Sequence, residues 1–462
     1  MIFRETNHHD ILYDRGERDI IRIVTIMNLP FLLRLRRHII TNYYVKRYYS
    51  SLLKSQFWSQ DELRNLQTEK CKHIIKTAVE SVPFYKHLAK EIDFSRFSLD
   101  VLGMLPVVSK EVIRNSPEKF ISKHVDISRA YWSHTSGSSG KPFHFVLPLN
   151  TSDAYEEMMA SRAWTMGKNY QYSLGDPVIS LRSYAPKEGE PLYKVRKNIW
   201  YLSAFDLNKK NLDEYLTVIK RSQAKIIRGY ASSLYIFTLL LKENNVQIPQ
   251  IQSLVTSSEN MLPHFRETIE SFWGINVLDW YGQNERTVTV QQCSYGNYHN
   301  NDEYGYIELD NHNQIIVTSL NNDAMPFIRY ATGDIAIPIP EKTICPCGRG
   351  LSIPFAGIDG RSDDILIKPD GTRVPTANIY TAMQTIEEIS QFKICQNKDF
   401  SLTVTLVGNS YLDERVFNKV RLSLVPRVGN LTMRFEAVDE IIRDRKTGKI
   451  KTVESLIHKI TE

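Results

Sequence analysis

Between residues 130 and 360, short apolar runs alternate with stretches of helical periodicity, and this alternation restricts the folds open to the chain. Residues 177–181 and 225–230 read as buried strands, and 251–256 and 276–280 as further strands. Residues 212–221, 232–243 and 263–273 read as the helices between them. Such alternation implies α/β architecture with a largely parallel sheet, whose ligands sit in loops at the carboxyl ends of the strands.

The loop from His134 to Pro142 reads His-Thr-Ser-Gly-Ser-Ser-Gly-Lys-Pro. Glycine loses much backbone freedom on ordering, and Ser and Thr compete for backbone partners, so this run forms neither helix nor strand. Two readings are open, a Ser/Gly surface linker or a cradle whose N–H groups, hydroxyls and lysine converge on a polyphosphate. Short strands at 130–133 and 143–147 abut the loop directly, which favours the cradle. It is not a Walker-type P-loop, since two residues rather than four precede Gly-Lys and Pro142 follows.

At 462 residues the chain exceeds one ordinary core, and its 42% hydrophobic and 24% charged content is that of a globular protein. A net charge of +6 from 58 basic and 52 acidic residues is too mild for a nucleic-acid binder. No secretory signal is read at the start, where residues 1–19 are polar and charged. The apolar run 20–33 is interrupted by Arg22 and Pro30 and is too short to span a bilayer. It reads as a helix packed on the protein body, while Arg34, Arg36, Arg37, Lys46 and Arg47 leave open a peripheral contact with an anionic membrane. Five cysteines without a signal point to the reducing cytoplasm, with Cys71 and Cys395 as core residues.

The region 20–120 reads as mostly helical, with a start at Ser59-Gln60-Asp61-Glu62, an end near Pro83, and Ser109 as cap of a short helix. Past 360, strands at 365–368, 392–396, 402–407 and 431–438 alternate with helices near 376–389 and 411–424, which reads as a separate α+β domain.

Further loops carry chemistry. Tyr281-Gly282-Gln283-Asn284-Glu285 offers a ring for a base, close backbone approach and a carboxylate for a metal ion. In Arg329-Tyr330-Ala331-Thr332-Gly333-Asp334 a carboxylate able to accept from ribose follows a tight turn. Gly360-Arg361-Ser362-Asp363-Asp364 marks the change of texture, and Arg445-Lys446-Thr447-Gly448-Lys449 sets a lysine on a glycine turn. Each alone is an ordinary turn; in this order they are specific.

With the phosphate loop, these motifs resemble the acyl-adenylating superfamily of acyl-CoA synthetases, peptide-synthetase adenylation domains and luciferases, over about residues 130–455. Ser81-Val82-Pro83-Phe84-Tyr85, Leu105-Pro106-Val107-Val108-Ser109-Lys110 and Gly229-Tyr230-Ala231-Ser232-Ser233 resemble the phenylacetate–CoA ligase and capsular-polysaccharide branch. The resemblance implies a large α/β domain with mostly parallel sheets flanked by helices and a small mobile α+β C-terminal domain. The expected boundaries are 1–125 for a helical N-terminal region packed on the large domain, 126–360 for its nucleotide- and substrate-binding core, and 361–462 for a lid hinged at Asp363.

It further implies ATP and Mg²⁺ as cofactors, with a small carboxylic acid and an acyl acceptor as partners; the acceptor is coenzyme A or an amine, and a homodimer stays open. Thr135, Ser136, Gly137, Ser138, Ser139, Gly140 and Lys141 would hold phosphates, Tyr281 and Gly282 would lie at adenine beside Ser258 and Glu259, and Glu285 would ligate Mg²⁺. Asp334 and Arg361 would hold ribose, Arg373 would reach phosphate, and Lys449 would bridge the acid and ATP. Glu285, Lys141 and Lys449 are the expected catalytic residues, since two mutually repelling anions must meet at the α-phosphate. The alternatives are transfer of AMP itself to a non-carboxylate, or an accessory binder with a degenerate site. Ser258 stands where the superfamily usually has glycine, and Asn284 where it has a small or hydroxyl residue.

Cys345-Pro346-Cys347 with Cys293 and His299 makes a Cys₃His set suited to structural zinc.

Overall fold

The computed structural model describes residues 30–127, 130–135, 143–148, 151–184, 186, 189–204, 206–339, 344–361, 366–369, 373–374, 379, 383, 386–408, 411–442 and 452–457. The N-terminal region opens with α1 (Pro30–Ser55) and α2 (Gln60–Ser81). Ser59 starts α2 through a capping box: its hydroxyl accepts from the Glu62 N–H while the Glu62 carboxylate accepts from the Ser59 N–H. Pro83–Lys90 and Leu99–Met104 are 3₁₀ turns, so the helical expectation for 20–120 holds in looser form over its described part. The short strand β1 (Val108–Ser109) leads into α3 (Lys110–Asn115), capped by Ser109 as its sequence suggests. Among the described residues no helix is long and apolar enough to cross a membrane.

A hairpin of β2 (Tyr131–Thr135) and β3 (Phe143–Leu147) brackets the Ser/Gly loop, with Thr135 opposite Phe143. After α4 (Ser152–Trp164) comes an eight-stranded sheet. Its members are β4 (Val178–Tyr184), β5 (Tyr193–Arg196), β6 (Ile199–Ser203), β7 (Ile226–Gly229), β8 (Ser253–Ser257), β9 (Val277–Gly282), β10 (Thr289–Gln292) and β11 (Tyr298–Asn300). The order is β11-β10-β9-β8-β7-β4-β6-β5; the central run from β9 to β6 is parallel and the outer pairs are antiparallel. The crossovers include α5 (Leu212–Ser222), α6 (Ala231–Glu243) and α7 (Pro263–Trp273), close to the expected helices.

Register explains why the apolar residues of these strands fall on both faces. Ile179, Leu181, Ile227 and Leu254 pack on one face against Tyr215, Phe237 and Ile269, while Val178, Ile226, Val255 and Leu278 pack on the other against Trp164 of α4. Burying each such side chain contributes about 1.5–3 kcal/mol, so both faces need cover. Gly274 ends α7 at φ 64°, a left-handed position that glycine occupies without strain.

A second, mixed sheet holds β12 (Gly305–Leu309), β13 (Gln314–Ser319), β14 (Tyr330–Ile337) and β15 (Gly357–Arg361), with β1 running parallel to β14. Phe143 and Phe145 from the hairpin pack with Phe327 and Tyr330 beneath it. The molecule is thus α/β with parallel and mixed sheets flanked by helices.

In the C-terminal part β16 (Leu366–Ile367) pairs with β17 (Arg373–Val374). A four-stranded sheet contains β18 (Ile389–Gln396), β19 (Leu402–Gly408), β20 (Met433–Ala437) and β21 (Val453–Ser455), with α8 (Glu414–Val428) started by the Asp413 cap. The helix expected to reach 389 stops earlier, because Ile389 is already paired with Gly408 and the β-branched, alternating run that follows extends the strand backwards. Leu262 and Phe265, at the start of α7, pack into this C-terminal core. Cys71 is fully buried as expected, whereas Cys395 on β18 is half-buried.

Candidate active site

Two separate stretches converge at one edge of the parallel sheet. Tyr281 lies near the end of β9, Glu285 lies on the following turn, and Asp334 comes from β14 just after Gly333; the expected tight turn is instead an irregularity within the strand, where Gly333 takes φ 82°. The Tyr281 hydroxyl donates to Asp334 Oδ2 at 2.7 Å, and Gln283 Nε2 donates to the same hydroxyl at 2.6 Å. Thr287 Oγ1 in turn donates to Gln283 Oε1 at 2.7 Å. Burial, and next the charge of Asp334, hold the Tyr281 phenol far above its ordinary value, so it stays a donor. The Asp334 N–H donates to Thr332 Oγ1 at 3.1 Å, and Asp334 sits opposite Arg361 in the β14–β15 register.

Glu285 is only 3% exposed, and two partners share one of its oxygens. Tyr330 donates to Oε1 at 2.9 Å and Lys110 Nζ lies 3.2 Å from Oε1. Burial, then the Glu285 charge, raise the Tyr330 phenol well above its usual value. Both contacts fall on Oε1, and a carboxylate of this kind suits a hard cation such as Mg²⁺. Lys110 was not singled out from sequence as a site residue. It arrives because β1 pairs with β14, Val108 opposite Tyr330, and no local pattern announces that pairing. Gln283 and Tyr330 were likewise missed, although both lie inside motifs already noted.

Ser258 and Glu259 follow β8, with Ser258 at φ 69°. That left-handed backbone accounts for glycine being at ease here, and the Ser258 hydroxyl accepts from Arg182 Nη2 at 2.7 Å. Gly282 and Asn284 are exposed at the sheet's end. Thr135 ends β2, Arg361 ends β15 and Arg373 starts β17, each described by its backbone. Ser136, Gly137, Ser138, Ser139, Gly140, Lys141, Asp363 and Lys449 lie outside the described residues.

Cys293, His299, Cys345 and Cys347 come together at the antiparallel edge of the large sheet, all four ligand atoms within 4.8 Å of one another. Cys293 Sγ is 3.5 Å from Cys345 Sγ, and Cys347 Sγ is 3.4 Å from His299 Nε2. His299 Nδ1 faces the Leu351 carbonyl at 3.2 Å, which turns Nε2 toward the thiols. Burial pushes the imidazole down to about 4, so it is neutral, the form that ligates. Asn297 Nδ2 donates to Cys345 Sγ at 3.2 Å. Three sulfurs and one nitrogen this close fit a tetrahedral zinc ion.

No protein-family model matches the chain. Protein CapK of Staphylococcus aureus is 22% identical over 415 residues, 86% of this chain and 90% of that protein. Phenylacetate-coenzyme A ligase of Escherichia coli (strain K12) is 26% identical over 377 residues, 72% of this chain and 78% of that one. Among solved structures, 2-hydroxyisobutyryl-CoA ligase in its postadenylation state with R3-HIB-AMP superimposes with a TM-score of 0.65 at 17% identity, over 88% of this chain and 92% of that one. The fold is the one seen in that adenylate-forming ligase. By sequence the chain is similar to CapK and to the phenylacetate–CoA ligases.

Proposed function

We propose that the chain uses ATP to activate a carboxylic acid as an acyl-adenylate, releasing pyrophosphate, and then passes the acyl group to coenzyme A. The observation that carries this reading is the meeting of the Tyr281–Glu285 stretch with Asp334 of a distant strand, joined by the phenol–carboxylate bond of 2.7 Å. In this reading the Tyr281 ring lies against adenine, and Asp334 with Arg361 holds the ribose hydroxyls. Ser136, Ser138, Ser139 and Lys141 take the β- and γ-phosphates, and Arg373 reaches a phosphate. Glu285 would hold Mg²⁺, which would neutralise phosphate charge. Lys449 bridges the incoming carboxylate and the nucleotide, so that one carboxyl oxygen attacks the α-phosphorus while pyrophosphate leaves. Residues 361–462 act as a lid that turns about Asp363 once the adenylate has formed, withdrawing Lys449. The relatives named as coenzyme A ligases support coenzyme A as acceptor, and the Cys₃His set holds a structural zinc that needs no part in this chemistry.

A pyrophosphate-release screen over aryl, fatty, amino and sugar acids, with and without coenzyme A and amines, tests the reading. Sugar acids are included because the resemblance to the capsular-polysaccharide branch implies them. Acid-dependent release followed by an acyl thioester supports it. A stable AMP adduct on a non-carboxylate acceptor would assign adenylyl transfer instead.

A further inference from the structure

Parallel strands β4 and β7 are neighbours, with Ser180 opposite Arg228. Side chains two apart share a sheet face, so Val178, Ser180 and Arg182 on β4 stand beside Ile226 and Arg228 on β7, all on the face covered by α4. This face is apolar at the start of the strands and cationic at their carboxyl ends, where ligands of such sheets bind. Arg228 stacks over Trp164 at 5.5 Å and its Nε donates to Ser180 Oγ at 3.3 Å. Arg182 stacks over Tyr230 at 5.0 Å and donates from Nη2 to Ser257 at 3.0 Å and Ser258 at 2.7 Å.

Both guanidiniums are half-buried, yet among the described residues neither has a carboxylate at ion-pair distance. The nearby acids serve a third arginine: Arg286 Nη1 lies 2.9 Å from Asp153, and Arg286 Nε lies 4.0 Å from Glu156. Arg182 Nε is buried with no hydrogen-bond partner. Burial and then the charge of Arg182 lower the proton affinity of Arg228. The Glu156 carboxylate offsets part of this charge but is drawn first to Arg286, so two like charges withdrawn from water remain under-compensated and an anion between them relieves the cost. An acyl pocket for a purely apolar acid has no use for the pair.

We propose that Arg182 and Arg228 hold a second anionic group on the acid substrate, so that the preferred substrate is a carboxylic acid bearing a further carboxylate or phosphate. This rests on the proposed acid activation, because Arg182 and Arg228 stand toward the carboxyl ends of β4 and β7, where such a sheet binds its ligand.

The test is acid-dependent ATP–pyrophosphate exchange with length-matched pairs: hexanoate against adipate, and benzoate against terephthalate and 4-phosphonobenzoate. Wild type, Arg228→Met and Arg182→Gln are compared, with melting temperatures read alongside to exclude a folding defect; Arg228→Lys serves as the conservative variant. The expected wild-type preference is for the anionic member, and the ratio of kcat/KM between anionic and neutral members should fall about 10- to 100-fold in the variants. Partial recovery is expected in Arg228→Lys. The relative rates of the dicarboxylate and the phosphonate say which anion is read. Equal use of neutral and charged acids by wild type, or an unchanged ratio in both variants, would overturn the inference and leave acid activation standing. If no acid supports exchange, acid activation fails, and calorimetric titration of adipate, terephthalate and 4-phosphonobenzoate in the presence of AMP decides the inference. Binding weakened by Arg228→Met keeps the anion site; no binding, or equal binding, overturns it.

Discussion

Tyr281 and Asp334, 53 positions apart in the chain, are joined by a 2.7 Å hydrogen bond in which the phenol donates to the carboxylate. That bond links the end of the parallel sheet to the mixed sheet and fixes the two groups relative to each other. A donor to a carboxylate is worth roughly 1.5–3 kcal/mol when buried, so Tyr281 also orients the acceptor.

Tyr281→Phe should therefore raise the KM for ATP about tenfold while changing kcat by less than about threefold, because the ring remains and only the tether is lost. Steady-state kinetics at saturating acid check this; a kcat collapse with unchanged KM would place the phenol in the chemical step instead.

Glu285→Gln keeps the contacts of Oε1 and removes the negative charge offered to the cation. Exchange activity should drop about 100-fold, and the Mg²⁺ concentration needed for half-maximal rate should rise. A magnesium titration of the variant against wild type reads both numbers.

The Cys₃His set predicts about one zinc per chain by elemental analysis, and none in Cys345→Ser or His299→Ala. Chelation should lower the melting temperature by roughly 5 °C or more. The His299 imidazole, held near about 4 by burial, lies below the value of about 6.5 it takes when unfolded. The unfolded chain thus gains a proton that the folded chain refuses as pH falls through that window. Stability from this group is complete above about 6.5 and is lost toward 4. Thermal melts between pH 4 and 8 should slope accordingly.

Arg162 and Glu303 form a fully buried ion pair at 2.8 Å that ties α4 to the turn before β12 and, through Ser55, to α1. Burial alone would raise the Glu303 carboxyl, but the Arg162 charge and its hydrogen bonds win and hold it below the usual range. Glu303→Gln leaves a buried guanidinium uncompensated and should cost about 3–5 kcal/mol by denaturant titration. For the depressed carboxyl, the stabilisation is present above its unfolded value and disappears only as pH drops through the lower folded one.

Elements whose burial is dictated locally were legible in the sequence. Ile226-Ile227 announces a strand covered on both faces, and Ser59 with Glu62 announces a helix start. The thiol and imidazole set was also legible, since few other fates suit three cysteines and a histidine at that spacing. What stayed hidden depends on pairing between distant segments. Lys110 reaches Glu285 only because β1 docks on β14, and Arg182 stands beside Arg228 only because β4 and β7 are neighbours in register. Ile389 was assigned to a helix because nothing nearby shows that Gly408 will pair with it. The motif Tyr281 to Glu285 marked the place, but not that Gln283 and Thr287 would brace the phenol.

The most direct test of acid activation follows an oxygen atom. An accepted acid labelled with ¹⁸O in its carboxylate is turned over with ATP and coenzyme A, and the AMP is examined by mass spectrometry. Attack by the carboxylate on the α-phosphorus predicts one labelled oxygen in the AMP released on thioester formation, with pyrophosphate unlabelled. AMP free of label, or AMP retained on a non-carboxylate product, would contradict the account.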